Sequence, residues 1–363
     1  MATAPHIRLS TVIMAHPRRL NAARALRDLL PDLDPQIVLD PDPEGPPSAW
    51  RTARLAWSAV PDDATHHLVL QDDVTTAPDF GTRARAAVRA EPTRPISLFT
   101  EWGSRTASAV RLAAACGRGW ADVVDDYVPT VGLVLPAELA RGLGSAADPA
   151  ATDPDDVILL DYLRARGVAA IAPVDSPLQH DVGPSLVGNA IMGLRRAVRF
   201  ARTVDCPPAQ QDHAPLSPRA IPYYDWWDQQ AAMFVPDTAS ADGWSRLRSG
   251  PAFAHLGTSL GDADRRFDAT RPSWPDRRRR DDRVSDIIQR ELWRTAYLLG
   301  AVAADAGARP DQMDDPRFRS ALRTLAPGGL RRIIPVHLLD EVTSLLDPLV
   351  SDATAAGLTR QTP

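Results

Sequence analysis

The stretch HHLVLQDDVTTAPDF, residues 66 to 80, runs three apolar residues, Leu68, Val69 and Leu70, straight into Gln71, Asp72 and Asp73. Adjacent carboxylates repel each other, and neither belongs in a core. Either the strand ends in water at that point, or a cation sits at its end. Paired carboxylates at the carboxyl end of a strand are the hard-oxygen ligands expected for Mg2+ or Mn2+ bridging a diphosphate. Such an ion removes the repulsion and stabilises a leaving diphosphate. A second acidic pair, Asp155 and Asp156, opens the run DDVILLDYLRARG. There a helix dipole favours ionised carboxylates, and acids in a first helical turn are also ordinary caps.

The elements that must position these acids alternate along the first 180 residues. IRLSTVIMA (7 to 15) reads as a strand, and Pro17 fits the first turn of a helix reaching about Leu30. QIVLD (36 to 40) is a short strand, and DPDPEGPPS (40 to 48) is a loop. Ser48 can cap the helix AWRTARLAWSAV. HHLVLQ is the third strand, Asp79 to Arg89 a helix, and PISLFTEW, TVGLVLP and VAAIAP three more strands, with the acid-opened helix before the last. Strands alternating with helices predict an α/β fold with a mostly parallel sheet flanked by helices. In such sheets ligands bind beyond the carboxyl ends of the strands. Domains are expected at 1–204, 205–283 (an irregular Pro- and Trp-rich segment that wraps the first domain or forms a lid) and 284–363 (a C-terminal helical region). Trp226, Trp227, Trp244 and Trp274 are read as pinning the Pro-rich segment to a core.

Composition removes several chemistries. All 41 basic residues are arginine, so Schiff-base catalysis, pyridoxal phosphate attachment and a Walker A lysine are excluded. The net charge of −5 gives no global case for nucleic-acid binding. Arg277 to Arg280 are followed by Asp281 and Asp282, a solvated loop on the ordinary reading. Two distant cysteines, Cys116 and Cys206, make neither a disulfide framework nor a zinc site. No apolar run reaches the roughly 20 residues of a membrane span. The N-terminal arginines follow the apolar run rather than precede it, the wrong order for a secretory signal, so a cytoplasmic location is expected.

The order of MAHPRR after a first strand, a second short strand, a helix, HHLVLQDDV, and later DDVILLDYLRARG and PLQHDVGPSLVGN resembles GT-A glycosyltransferases, in particular the lipopolysaccharide-type, family 25-like enzymes, over about residues 8 to 190. The acidic motif here is QDD, where those enzymes commonly carry EDD or a spaced DxD. The resemblance implies a GT-A-like fold with a Rossmann-like nucleotide-binding half, residues 1–204 as the nucleotide-sugar-binding catalytic domain, and a metal-dependent, inverting transfer of a sugar from a nucleotide-sugar donor to an unknown acceptor. It places the donor beside Ala15, His16, Pro17, Arg18 and Arg19, with Asp40 and Asp42 toward the base or ribose and Gln71 and Asp72 also on the donor side. A guanidinium near a helix N-terminus suits phosphate recognition. It implies a metal set of Asp72, Asp73 and His180, carboxylate and imidazole together suiting Mn2+ better than Mg2+. The base that takes the acceptor proton is Asp156, with Asp155 next. Glu101 and Trp102, at another strand terminus, would line the acceptor side. His66 and His67 lie at the far end of their strand and receive no chemistry.

Two other readings stand beside this one. A nucleotidyl- or phosphosugar-transferring enzyme would use the same acids and metal, but usually has an early Gly-rich loop and lysine, which are missing here. A non-catalytic binding or scaffold protein could keep the fold, with the C-terminal helices forming a homo-oligomer or holding the acceptor.

Overall fold

The computed structural model describes residues 7–146, 154–181, 189–201, 214–240 and 242–360. In chain order its first half holds β1 (Leu9–Ala15), α1 (Leu20–Leu29), β2 (Gln36–Leu39), α2 (Ala49–Ser58), β3 (His66–Gln71), β4 (Val74–Thr76), α3 (Phe80–Ala90), β5 (Ile96–Ser97), α4 (Arg105–Ala115), β6 (Trp120–Asp122), β7 (Gly132–Pro136), α5 (Ala137–Gly144), α6 (Asp155–Arg164), β8 (Ile171–Pro173) and β9 (Leu178–His180). The local signals act as expected. The Ser48 hydroxyl accepts from the Arg51 N–H at 3.3 Å and starts α2. Pro17 opens a single 3-10 turn ahead of α1, capped by the His16 ring, which accepts from the Arg18 N–H at 3.1 Å. Five of the six β3 residues are buried.

The main sheet has seven strands in the order β2-β1-β3-β7-β5-β8-β6. β1 runs parallel to β2 and β3, and β5 parallel to β8, but β7 is antiparallel to both β3 and β5. The sheet is therefore mixed, not mostly parallel. The reason lies in β7 itself: GLVLP is an apolar run buried on both faces, and such a run reads the same in either direction. Its ladder pairs Leu68 with Val134 and Val69 with Leu133, all four buried. The stretch PISLFTEW keeps only Ile96 and Ser97 as strand. A separate ribbon pairs β4 with β9 antiparallel, Val74 opposite His180.

The chain divides into two compact units. The first comprises Met1–Thr100, Asp125–Ala190 and Phe200–His213, and the second Glu101–Val124, Ile191–Arg199 and Ala214–Pro363. Within the stretch expected to be irregular, the described residues from Ala214 onward belong to the second unit and form regular elements. These are a three-stranded antiparallel sheet, β10 (Ile221–Asp225), β11 (Gln230–Pro236) and β12 (Trp244–Arg248), followed by α7 (Ser249–His255), α8 (Leu260–Thr270) and α9 (Arg277–Arg283). The reason is turn chemistry hidden among aromatics. The Asp225 carboxylate accepts from the Trp227 and Asp228 N–H groups at 2.9 and 3.2 Å, and Gln229 takes φ +52°, closing a hairpin. Most of the Pro-rich run before it, with Cys206, lies outside the described residues.

The C-terminal region is helical: α10 (Asp286–Asp305), α11 (Pro316–Leu322), α12 (Leu325–Leu330) and α13 (Leu339–Leu358). α10 and α13 cross on glycine. A Cβ on Gly300 would lie 2.0 Å from the Thr354 carbonyl oxygen, and one on Gly357 2.1 Å from that of Tyr297. Trp274 packs against Phe267 and Trp293 and is buried, as is Trp226, whereas Trp227 is 59% exposed. Among the described residues no helix is long and apolar enough to cross a membrane.

Candidate functional site

The carboxyl ends of β1, β2 and β3 lie at one edge of the first unit, because the three strands are parallel. The chain leaves them as His16–Arg19, Asp40 and Asp72–Asp73. A cation does sit on the acidic pair: the Arg19 Nη1 donates to Asp73 Oδ2 at 2.7 Å and to Asp72 Oδ1 at 3.2 Å. The His16 backbone N–H donates to Asp72 Oδ2 at 3.2 Å. Burial works against the Arg19 charge, but its bonds to Asp73 and Asp72 outweigh that and raise its pKa. Asp72 is also raised, by burial and then by Asp73, with Arg19 and the His16 N–H pulling the other way.

The β4–β9 ribbon brings a third group from far along the chain. The Asp181 N–H donates to the Asp73 carbonyl at 2.9 Å, and His180 Nε2 stands 3.7 Å from Asp73 Oδ2. His180 Nδ1 lies 2.9 Å from the Asp181 carbonyl, which can only accept, so Nδ1 carries the hydrogen and Nε2 faces the carboxylate. The Phe99 ring, 6.2 Å away between centroids, backs the imidazole. Asp73 Oδ1 is buried and makes no hydrogen bond.

Around this cluster the loop after β2 is tied down. Asp40 forms a two-pronged pair with Arg51, Nε to Oδ1 at 2.6 Å and Nη2 to Oδ2 at 2.7 Å, and that bond holds the Asp40 carboxyl below its ordinary range. Arg51 also donates to the carbonyls of Asp42 and Pro46, at 2.6 and 3.0 Å. His16 Nε2 reaches the Pro43 carbonyl at 3.3 Å. Arg18 is exposed and pairs with Glu44 at 3.4 Å. The sequence pattern of α2 marks its apolar side, and Arg51 lies off that side. Its position three residues after the Ser48 cap, on the polar side facing an acidic loop, was the available signal.

The second acidic pair connects to the end of β3 through one hydroxyl. Gln71 Nε2 donates to Thr130 Oγ1 at 3.2 Å, and the Thr130 hydroxyl bonds Asp155. Asp155 is pushed up to about 6, first by burial and then by the neighbouring Asp156 charge, against the pull of Thr130 and nearby backbone N–H groups. Its Oδ2 is buried and makes no hydrogen bond. Asp156 is more open and accepts from the Val157 N–H at 2.9 Å. Thr152 and Asp153, just ahead of this helix, lie outside the described residues. Nothing in the pattern around Thr130 announced it.

Glu101 and Trp102 belong to the second unit. There Glu101 is buried with Arg331 at 2.7 Å, and the Trp102 indole N–H donates to the Leu194 carbonyl at 2.9 Å within an apolar cluster with Leu339.

Among the described residues no group of three or more His, Cys, Asp or Glu converges to hold a metal ion. By donor type the carboxylates and imidazole of Asp72, Asp73 and His180 are of the kinds that Mn2+ or Mg2+ takes, and Asp73 Oδ1 is a buried carboxylate oxygen with no hydrogen bond. Fewer protein ligands suffice where a substrate diphosphate completes the shell. The fold and the cluster define a class: an α/β unit with an acid–arginine–imidazole group beyond the carboxyl ends of parallel strands. No family model matches the chain, and no curated protein is significantly similar to it.

Proposed function

We propose that the first unit is the donor-binding and catalytic part of a nucleotide-sugar-dependent glycosyltransferase. The observation that carries this reading is the pairing of Asp72 and Asp73 under the Arg19 guanidinium with His180 3.7 Å from Asp73, at the edge where open α/β sheets take ligands. Asp73, Asp72 and His180 would hold a divalent ion brought with the donor; that ion supplies charge neutralisation for the departing diphosphate. Arg19 and the N–H groups of the turn after β1 offer donors for phosphate oxygens. The loop pinned by Arg51 and His16 gives the nucleoside end a rigid wall.

The transfer is an inverting displacement. The acceptor oxygen forms a bond to the anomeric carbon as the bond to the diphosphate oxygen breaks, and the electron pair leaves with the diphosphate. The acceptor proton passes to a carboxylate of the α6 acids. Asp155 suits this better than Asp156, because a carboxyl titrating at about 6 is ionised at neutral pH yet basic enough to hold a proton, and its Oδ2 has no competing bond.

Thermal-shift titration with UDP-, GDP- and dTDP-sugars, with and without Mn2+, tests the reading. Stabilisation by one sugar nucleotide, dependent on metal and lost in Asp73→Asn, is the expected result. No response to any nucleotide would instead favour a non-catalytic binding protein, a reading that the closure of the acidic pair by Arg19 also suits.

A further inference from the structure

We propose that Arg19 is a tethered counter-cation that keeps divalent metal off Asp72 and Asp73 in the donor-free protein, so that metal binds there only when an anionic diphosphate draws the guanidinium away. This rests on the glycosyltransferase reading for the identity of the diphosphate, but the exclusion of metal by Arg19 rests on geometry alone. One guanidinium nitrogen donates to an oxygen of each carboxylate, so the oxygens that a divalent ion would need are already engaged. A second cation brought to the same two oxygens would meet the first within a few ångströms, and close like charges repel strongly in partly buried surroundings. The remaining Asp72 oxygen is bonded as well, to the His16 N–H, which leaves Asp73 Oδ1 as the acceptor without a hydrogen bond. One carboxylate oxygen and one imidazole make a weak site for Mn2+, which prefers several hard ligands.

A shift of the Arg19 guanidinium leaves the backbone bond of its turn to Asp72 in place. Arg19 lies at the end of the turn that precedes α1, and its side chain is about 20% exposed. The backbone contact of that turn to Asp72 runs through His16 and does not depend on the guanidinium. A diphosphate offers oxygen acceptors with more negative charge than either carboxylate, and guanidinium pairs with phosphate in two-pronged fashion. Transfer of the guanidinium from the carboxylates to the phosphate frees the pair for the ion that the phosphate brings. Binding of donor and metal is then ordered and mutually supporting, each raising the affinity of the other by the same factor.

The test is Mn2+ binding to the full chain without nucleotide, read from the loss of the free-Mn2+ signal in electron paramagnetic resonance. Wild-type protein is expected to bind Mn2+ weakly, and Arg19→Met at least ten-fold more tightly. Arg19→Lys keeps the charge and is expected to stay close to wild type. Adding Asp73→Asn to Arg19→Met is expected to abolish the gain, which ties it to this site. If Arg19→Met is poorly folded, Arg19→Gln serves, with circular dichroism as the check. The proposal is overturned if neutral replacements bind Mn2+ no more tightly than wild type, or if the gain survives Asp73→Asn. Failure of every sugar nucleotide to stabilise the protein defeats the glycosyltransferase reading and leaves the Mn2+ comparison to decide the role of Arg19.

Discussion

Asp155→Asn should make the protein more stable at neutral and alkaline pH while removing its chemistry. The Asp155 carboxyl titrates at about 6 in the folded chain against an ordinary 3.8, because burial disfavours the ion and Asp156 repels it. A carboxyl raised on folding binds its proton more tightly in the folded state. Below pH 3.8 both states are protonated and there is no penalty. Stability then falls as pH rises, and above pH 6 the full penalty is present, about 3 kcal/mol for a shift of this size. Asparagine cannot ionise, so it escapes that loss. Its amide group has no acceptor at the place of Oδ2 and costs about 1 kcal/mol at every pH. The two effects separate by their pH dependence. The difference between variant and wild type should move by about 2 kcal/mol in favour of the variant between pH 4.5 and pH 8. Urea unfolding followed by tryptophan fluorescence at a series of pH values measures it. A difference that stays flat across this range, or moves the other way, would refute the assignment of a buried, charge-crowded carboxyl. If the variant also loses turnover of a sugar nucleotide that it still binds, Asp155 carries the proton as well as the strain.

Further outcomes follow from neighbouring contacts. Arg51→Ala strips Asp40 of both its side-chain bonds and should cost about 2–3 kcal/mol at pH 7. Because the Asp40 pKa is depressed, that stabilisation exists above the ordinary carboxyl range and fades as pH falls below about 4, so urea midpoints of variant and wild type should converge in acid. Gln71→Glu removes the donor to Thr130 and adds a negative charge near Asp155, so the Asp155 titration seen by carboxyl NMR should move upward; an unchanged midpoint would break the proposed link through the hydroxyl. Gly300→Ala gains about 1 kcal/mol of helix propensity but drives a methyl to within 2.0 Å of the Thr354 carbonyl oxygen. The clash should win, with a net loss above about 1 kcal/mol in denaturant unfolding.

What could be read from the chain depended on how local its cause was. The β3 run with its acidic end, the Ser48 cap and the acids opening α6 each follow from a few adjacent residues, and each stands where expected. Strand direction is not local. β7 is apolar on both faces, and only its ladder with β3 and β5 shows which way it runs. The hairpin after Ile221 is hidden in the sequence because its turn relies on one aspartate among four aromatics, and aromatic density is equally a mark of packing. In the candidate site, like-charge repulsion at Asp72 and Asp73 did demand a cation, but the guanidinium that answers comes from 53 or 54 residues earlier. No spacing rule spans that distance. Expecting His180 beside Asp73 rested on a resemblance. The path that joins them is a ribbon of three residues per strand, too short for alternation to reveal.

That ribbon has a consequence of its own. Asp73 joins β3 of the main sheet to β4, whereas His180 ends β9 of the ribbon, so their meeting depends on which residue faces which: Val74 on His180 and Thr76 on Leu178. Side chains in a strand switch faces at every step. A slip of one position in this pairing would turn the imidazole away from the carboxylate. The seven-stranded core would register nothing, and the first unit would keep its strands while losing the convergence of acid, arginine and imidazole.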